Sequence, residues 1–210
     1  NVIVLFIAKK LSLLLYFKLI LPLTLPLNQA KRKHQFYLWI FLPFLLVAIA
    51  WLQEFIDQLL FAGNWNLPIG PGLPWWRLFT APFSHADYGH LIANTVVFLP
   101  LSWVVLAKGL RDYIAVLTCV IFMEIPIIIY GANASHGMSG FVYGLLGYLM
   151  LIGFLERRIL TIMISIFCLL FYGGTLYTLI PGLSPVGVSW IGHFSGFIGG
   201  LLAAFAVYRE

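Results

Sequence analysis

What this chain has least of is charge: 12 basic and 7 acidic residues among 210, or 9%, where a soluble domain carries about 25%. So few ionised groups cannot clothe a water-soluble fold whose composition is 62% hydrophobic and 17% aromatic. Cysteine is nearly absent too. Cys119 and Cys168 each fall inside an apolar run, which excludes a disulfide framework and leaves two small buried hydrophobes. HExxH is absent and the five histidines show no metal-ligand spacing, so no metal and no cofactor is expected. A net charge of +5 invites a nucleic-acid reading, but the basic residues stand at the ends of apolar runs. That is the pattern of membrane topology, and no nucleic-acid partner is expected.

What is there is a set of six long apolar runs, at about 37–60, 89–107, 113–131, 138–155, 159–180 and 190–208. Each is near the ~20 residues that a helix needs to cross a bilayer. The expected fold is an all-α membrane protein, a compact bundle of six transmembrane helices over residues 36–210, with no separate soluble domain. Residues 1–35 form a basic, partly apolar N-terminal segment. Lys18, Pro22 and Pro26 interrupt its apolar run, so it lies on the interface, adds a further span or is removed by processing. Lys31, Arg32 and Lys33 precede the first long run, and Lys108 and Arg111 separate the second from the third. Arg157 and Arg158 separate the fourth from the fifth, and Arg209 follows the sixth, while the intervening connections carry only Arg77. By the positive-inside rule both termini are cytoplasmic, and the 63–88, 131–138 and 181–189 connections face outward.

This topology gathers polar residues at one depth. Ser139 opens the fourth run after Gly137 and Met138, and His193 lies about one turn into the sixth. His90 and Asn94 occupy the first turns of the second run, again from the outer side. A polar group in hydrocarbon without a partner costs about 2–7 kcal/mol, so intramembrane ionisable groups point to function by default. This set contains a nucleophile and a base. Ser139 and Tyr143 are four apart, as are His90 and Asn94, so each pair shares a helix face. Gly140 and Gly144 make a GxxxG, and His193, Gly196 and Gly200 make an HxxGxxxG. Small-residue faces let two helix backbones approach closely, which is what a short serine needs to meet an imidazole. Leucine at Gly196 should therefore break the site. At Gly153, near the other end of the fourth run, it should be much milder.

These motifs resemble the rhomboid intramembrane serine proteases. Gly137-Met138-Ser139-Gly140 is similar to that family's GxSG, and "GHFSGFIGG", with His193, Gly196 and Gly200, to its general-base helix. "HADYGHLIAN" resembles HxxxxHxxxN, and Trp76-Arg77 its WR pair. The resemblance covers residues 37–208. It implies the compact six-helix rhomboid fold and a Ser139–His193 dyad that cleaves transmembrane protein substrates. It also implies Tyr143 packed on the imidazole, and His90 and Asn94 supporting the oxyanion with the Ser139 amide. The expected setting is a prokaryotic cytoplasmic membrane with the site facing its outer side and the lipid bilayer as a partner. Two positions depart from the family pattern: Ala81 stands where an outer-loop histidine is common, and His136 where glycine is.

Taken singly, GxSG, a histidine at a span end and an asparagine between helices are all commonplace in membrane proteins. Their coincidence at one depth carries the catalytic reading. Among the other polar residues, His85 reads as a loop hydrogen-bond partner and Arg77 as a loop or headgroup anchor. Glu124 reads as a buried carboxyl bonded to a neighbouring helix, and Glu54 and Asp57 as reaching the interface. Two further classes stand beside the protease. One is a catalytically silent relative that binds transmembrane helices, which the presence of both Ser139 and His193 disfavours. The other is a small transporter, whose site would sit near the bilayer centre at a repeat interface; this cluster is off-centre and no internal repeat is evident.

Overall fold

The structure, a computed structural model, describes residues 29–130 and 134–208, with side chains from Ile40 onward. The expectations for residues 1–28, and for Arg209, lie outside the described residues. The chain divides into two units, Asn1–Leu38 and Trp39–Glu210, and the helical bundle belongs to the second. The described helices are α1 (Gln29–Phe61), the single turn α2 (Arg77–Thr80), α3 (Tyr88–Lys108), α4 (Leu110–Tyr130), α5 (Ser139–Glu156), α6 (Ile159–Tyr172) and α7 (Trp190–Tyr208). Short 3-10 turns follow α2 at Ala81–Phe83 and α6 at Gly173–Leu179. Six stretches are long and apolar enough to cross a membrane, Ile40–Phe61 and Ile159–Leu179 together with all of α3, α4, α5 and α7. Among the described residues there is no strand, only an isolated bridge between Ile69 and Ser135. The protein is an all-α, multi-pass membrane protein.

α5 is the hub. Phe141, Val142, Leu145, Leu146, Tyr148 and Leu149 are all buried, and so are its glycines. Lipid is as apolar as leucine, so nothing drives a greasy helix inward; close van der Waals packing does, and small residues permit it. A Cβ added at Gly196 would run into the carbonyl oxygen of Gly140, and one at Gly200 into that of Gly144. α5 and α7 thus meet backbone to backbone along their glycine faces. At such separations Cα–H···O contacts add about 0.5–1 kcal/mol each. α4 packs on the same two helices, because a Cβ at Gly144 would strike Val120 Cγ2 and one at Gly199 the Val120 backbone.

Two expectations need correcting. Gly153 is no quiet control position: a Cβ there would collide with the Thr161 carbonyl and Ser165 Oγ of α6. The same hydroxyl accepts from the Gly153 N–H at 3.1 Å and donates to the Leu149 carbonyl at 2.5 Å. Nor do Glu54 and Asp57 reach the interface; both are fully buried. Asp57 Oδ1 accepts from the Trp65 N–H at 2.6 Å and Glu54 from Gln58 Nε2 at 2.8 Å. The long connection folds back over the end of α1, and Asp57 ties it down together with Gln53, whose Nε2 donates to the Trp65 carbonyl at 3.0 Å. At the opposite end of the bundle Lys108 pairs with Glu156 at 2.7 Å, holding the ends of α3 and α5 together.

Candidate active site

Four anchors hold the loop that delivers Ser139. Ile69 and Ser135 exchange backbone hydrogen bonds at 2.8 and 2.9 Å. The Gly137 N–H donates to the Ala81 carbonyl at 2.8 Å, and the Met138 N–H to His85 Nε2 at 3.3 Å. The bond to Ala81 uses only its backbone, so the histidine missing at that position is not needed for it. Gly137 has φ +105°, a region that a side chain rarely tolerates. A Cβ there would also lie 2.8 Å from His90 Cε1 and 3.6 Å from Asn94 Nδ2. Glycine therefore opens space between this loop and the first turns of α3. Ser139 follows, half-buried, as the first residue of α5. The first amides of a helix have no intrahelical partner and carry the positive end of its dipole, so this is a place where negative charge is stabilised.

The His85 bond depends on an uncharged ring. His85 is fully buried. Burial first, and neighbouring His90 second, push its pKa down to about 3. At neutral pH Nε2 stays free to accept from Met138. His136 is lowered from the ordinary histidine value for the same two reasons. The rings of His85 and His90 lie 5.1 Å apart and those of His90 and His136 6.3 Å apart. Among the described residues no cluster of His, Cys, Asp and Glu has the geometry to hold a metal ion.

Asp87 caps α3, its Oδ1 accepting from the His90 N–H at 2.7 Å. A cap of this kind is worth about 1 kcal/mol, and here it also fixes where the helix begins. One turn further, Asn94 is buried and its Nδ2 finds no partner among the described residues. An unsatisfied buried amide N–H is costly. Beside the Gly137 loop it is a donor available to a bound acceptor.

On the other side, His193 is buried in the first turns of α7. The ring of Tyr143 stacks on it with centroids 4.2 Å apart and planes at 22°. His193 lies three residues before Gly196, and Ser139 immediately before Gly140, the two glycines whose backbones touch. Gly192 adds a second contact, since a Cβ there would collide with Ser135 Oγ. Glu124 approaches from α4 with Oε1 where a Cβ of Gly140 would be. Arg77 donates to the Pro68 carbonyl at 3.4 Å, a loop anchor apart from the site.

One participant escaped sequence reasoning. Thr178, in the turn after α6, places Oγ1 3.0 Å from His193 Nδ1 and 2.6 Å from the Tyr143 hydroxyl. The signal was faint: a threonine near the outer end of an otherwise apolar run.

Comparison with known proteins bears on this arrangement. The family model of the Rhomboid domain matches residues 73–210. An uncharacterized protein of Mycobacterium tuberculosis is 32% identical over 174 residues, 76% of this chain and 71% of that protein. One of Mycobacterium leprae is 34% identical over 170 residues, 76% and 67% of the two chains. The Rhomboid protease GluP of Bacillus subtilis is 28% identical over 137 residues, 63% of this chain but only 26% of that protein.

Proposed function

Because the chain belongs to the Rhomboid family, we propose that it is an intramembrane serine endopeptidase in which Ser139 is the nucleophile and His193 the general base. Ser139 Oγ attacks the scissile carbonyl carbon of a transmembrane substrate, and the carbonyl electron pair moves onto oxygen. Nε2 of His193 takes the serine proton and returns it to the leaving amine as the C–N bond breaks. Water then repeats the sequence on the acyl-enzyme and releases the acid. The Ser139 amide, Asn94 Nδ2 and His90 serve the oxyanion. The observation that carries the reading is the backbone contact of Gly140 with Gly196, which sets the nucleophile and a Tyr143-stacked imidazole on touching helix turns.

We further infer that this end of the bundle faces outward. Lys108, Arg111, Arg157 and Arg158 all lie at the other end of their helices, where the positive-inside rule puts the cytoplasm. Residues 36–210 then act as one catalytic domain. Cysteines at Val186 and Arg158 check the orientation: the first should react with a membrane-impermeant reagent in intact cells, the second only after permeabilisation. Cleavage of a panel of transmembrane substrates tests the activity. Wild-type protein should cut at least one, and Ser139→Ala and His193→Ala none. Removing both should cost little more than removing either. Turnover by purified Ser139→Ala would overturn the assignment.

A further inference from the structure

The ring of His193 is held by more than a stacked tyrosine. Stacking fixes the plane of an imidazole but barely distinguishes the ring from the same ring flipped over, which exchanges nitrogen for carbon. It says nothing about which nitrogen carries the proton. A base that works through Nε2 needs both questions answered: Nε2 toward the serine and bare, Nδ1 away from it and protonated.

Thr178 answers both. Its hydroxyl is 3.0 Å from His193 Nδ1, 2.6 Å from the Tyr143 hydroxyl and 2.9 Å from the Thr175 carbonyl. Tyr143 is also 3.2 Å from that carbonyl. A threonine hydroxyl has one hydrogen and two lone pairs. Suppose its hydrogen goes to the Thr175 carbonyl; Oγ1 then accepts from Tyr143 and from Nδ1–H. Suppose instead it goes to Tyr143; the tyrosine then donates to Thr175, and Oγ1 still accepts from Nδ1–H. If the hydrogen goes to Nδ1 instead, the single tyrosine hydrogen must serve either Oγ1 or the Thr175 carbonyl and cannot serve both. The two arrangements that place a hydrogen in three of these four contacts both put the proton on Nδ1, whereas with Nδ1 bare only two contacts can hold one. The turn itself is tied down, because Ser184 Oγ donates to the Thr178 carbonyl at 2.6 Å, and Thr178 is buried.

We propose that Thr178 is the positioning residue of the site: it selects the ring orientation and the Nδ1–H tautomer of His193, so that Nε2 is the bare nitrogen turned to Ser139. The proposal rests on the reading of His193 as the base. Thr178 itself touches neither substrate nor reacting atoms. It takes the place that a buried carboxylate holds in a three-membered serine protease site, with a neutral acceptor suited to membrane depth, where an unpaired charge would be far more costly.

The test compares Thr178→Val, which keeps the shape and loses the acceptor, with Thr178→Ser, which keeps the hydroxyl. With histidine labelled by 15N and the His193 signals identified by their loss in His193→Ala, the nitrogen shifts report the tautomer. Wild type and Thr178→Ser should show Nδ1–H, and Thr178→Val a mixture or Nε2–H. In parallel kcat should fall about 10-fold to 100-fold in Thr178→Val, with KM within about twofold of wild type because substrate contacts are unchanged. Thr178→Ser should recover kcat. A wild-type His193 found as Nε2–H would overturn the proposal, whether or not Thr178→Val folds. So would a Thr178→Val protein with unaltered tautomer and kcat. The tautomer needs no turnover to be read, so an absence of protease activity would sink the proposed function alone and remain distinguishable.

Discussion

α5 and α6 are consecutive spans joined by Arg157 and Arg158, and the more apolar of the two is the less buried. Of the α5 span 72% is buried, against 11% of an 18-residue stretch within Ile159–Leu179. In water that order would be reversed. In lipid, Leu160, Leu170 and Phe171 are at home facing outward, and nothing pulls them in. α5 sits at the centre because Gly140, Gly144, Gly147 and Gly153 let the backbones of α7 and α6, and the Val120 and Glu124 side chains of α4, reach it from three sides. In this protein glycine, rather than hydrophobicity, decides which helix is inside. The catalytic serine of the proposed mechanism is carried on the helix that glycine has placed there.

The largest loss should come from bulk put into the α5–α7 contact. Gly196→Leu adds a side chain where the Gly140 carbonyl lies. A displacement of even 1 Å at the reacting atoms costs on the order of 100-fold in rate, so turnover should fall at least that far. Leucine is favourable in a membrane helix, so insertion should survive. Gly153→Leu gives a contrasting defect. It strikes the α6 backbone at the far end of α5, and overpacking there should cost about 1–3 kcal/mol or more. Thermal stability should drop while activity per folded molecule holds. Measuring both quantities for both variants in one detergent separates the two ends of α5.

Acid should loosen the loop before it touches the helices. Between pH 6.5 and about 3 the unfolded chain takes up a proton at His85 that the folded protein resists. Stability from this group is therefore full above about 6.5 and is lost as pH falls through that window. From pH 6.5 to pH 5 the loss is about 2 kcal/mol. A protonated His85 also no longer accepts from Met138. His85→Gln, which can accept through its amide oxygen without titrating, should give a flatter dependence of thermal midpoint on pH. The smallest effects belong to the lipid-facing span and its end. Leu170→Ala, and Gly174→Ala, where an added Cβ meets nothing within 4 Å, should each stay within about 0.5 kcal/mol of wild type.

The spans could be read from the chain because a bilayer imposes one length and one composition, and the six apolar spans follow those runs within a few residues, although α1 begins earlier and α6 gives way to a 3-10 turn. The glycine spacings could be read too, since GxxxG is a local statement about one helix face. What stayed hidden depends on which helix lies opposite. Gly153 looks like any glycine until Thr161 and Ser165 are seen against it. Glu54 and Asp57 look like interface residues until the following connection folds back over them. Thr178 belongs to no spacing at all; only the turn after α6 brings it to Nδ1 of His193. The resemblance named Tyr143 as the histidine's packing partner, yet the hydroxyl that bonds the ring came from elsewhere in the chain.

If the α5–α7 contact makes Ser139 a nucleophile through His193, a fluorophosphonate probe will find it without any choice of substrate, because the probe bonds covalently only to an activated serine. The site of modification can be read by peptide mass. The expected result is a single adduct, on Ser139, formed by wild-type protein and reduced to background in His193→Ala and in Gly196→Leu. Folded wild-type protein that takes up no label would contradict this mechanism, as would an adduct on another serine or labelling of Ser139 that persists without His193.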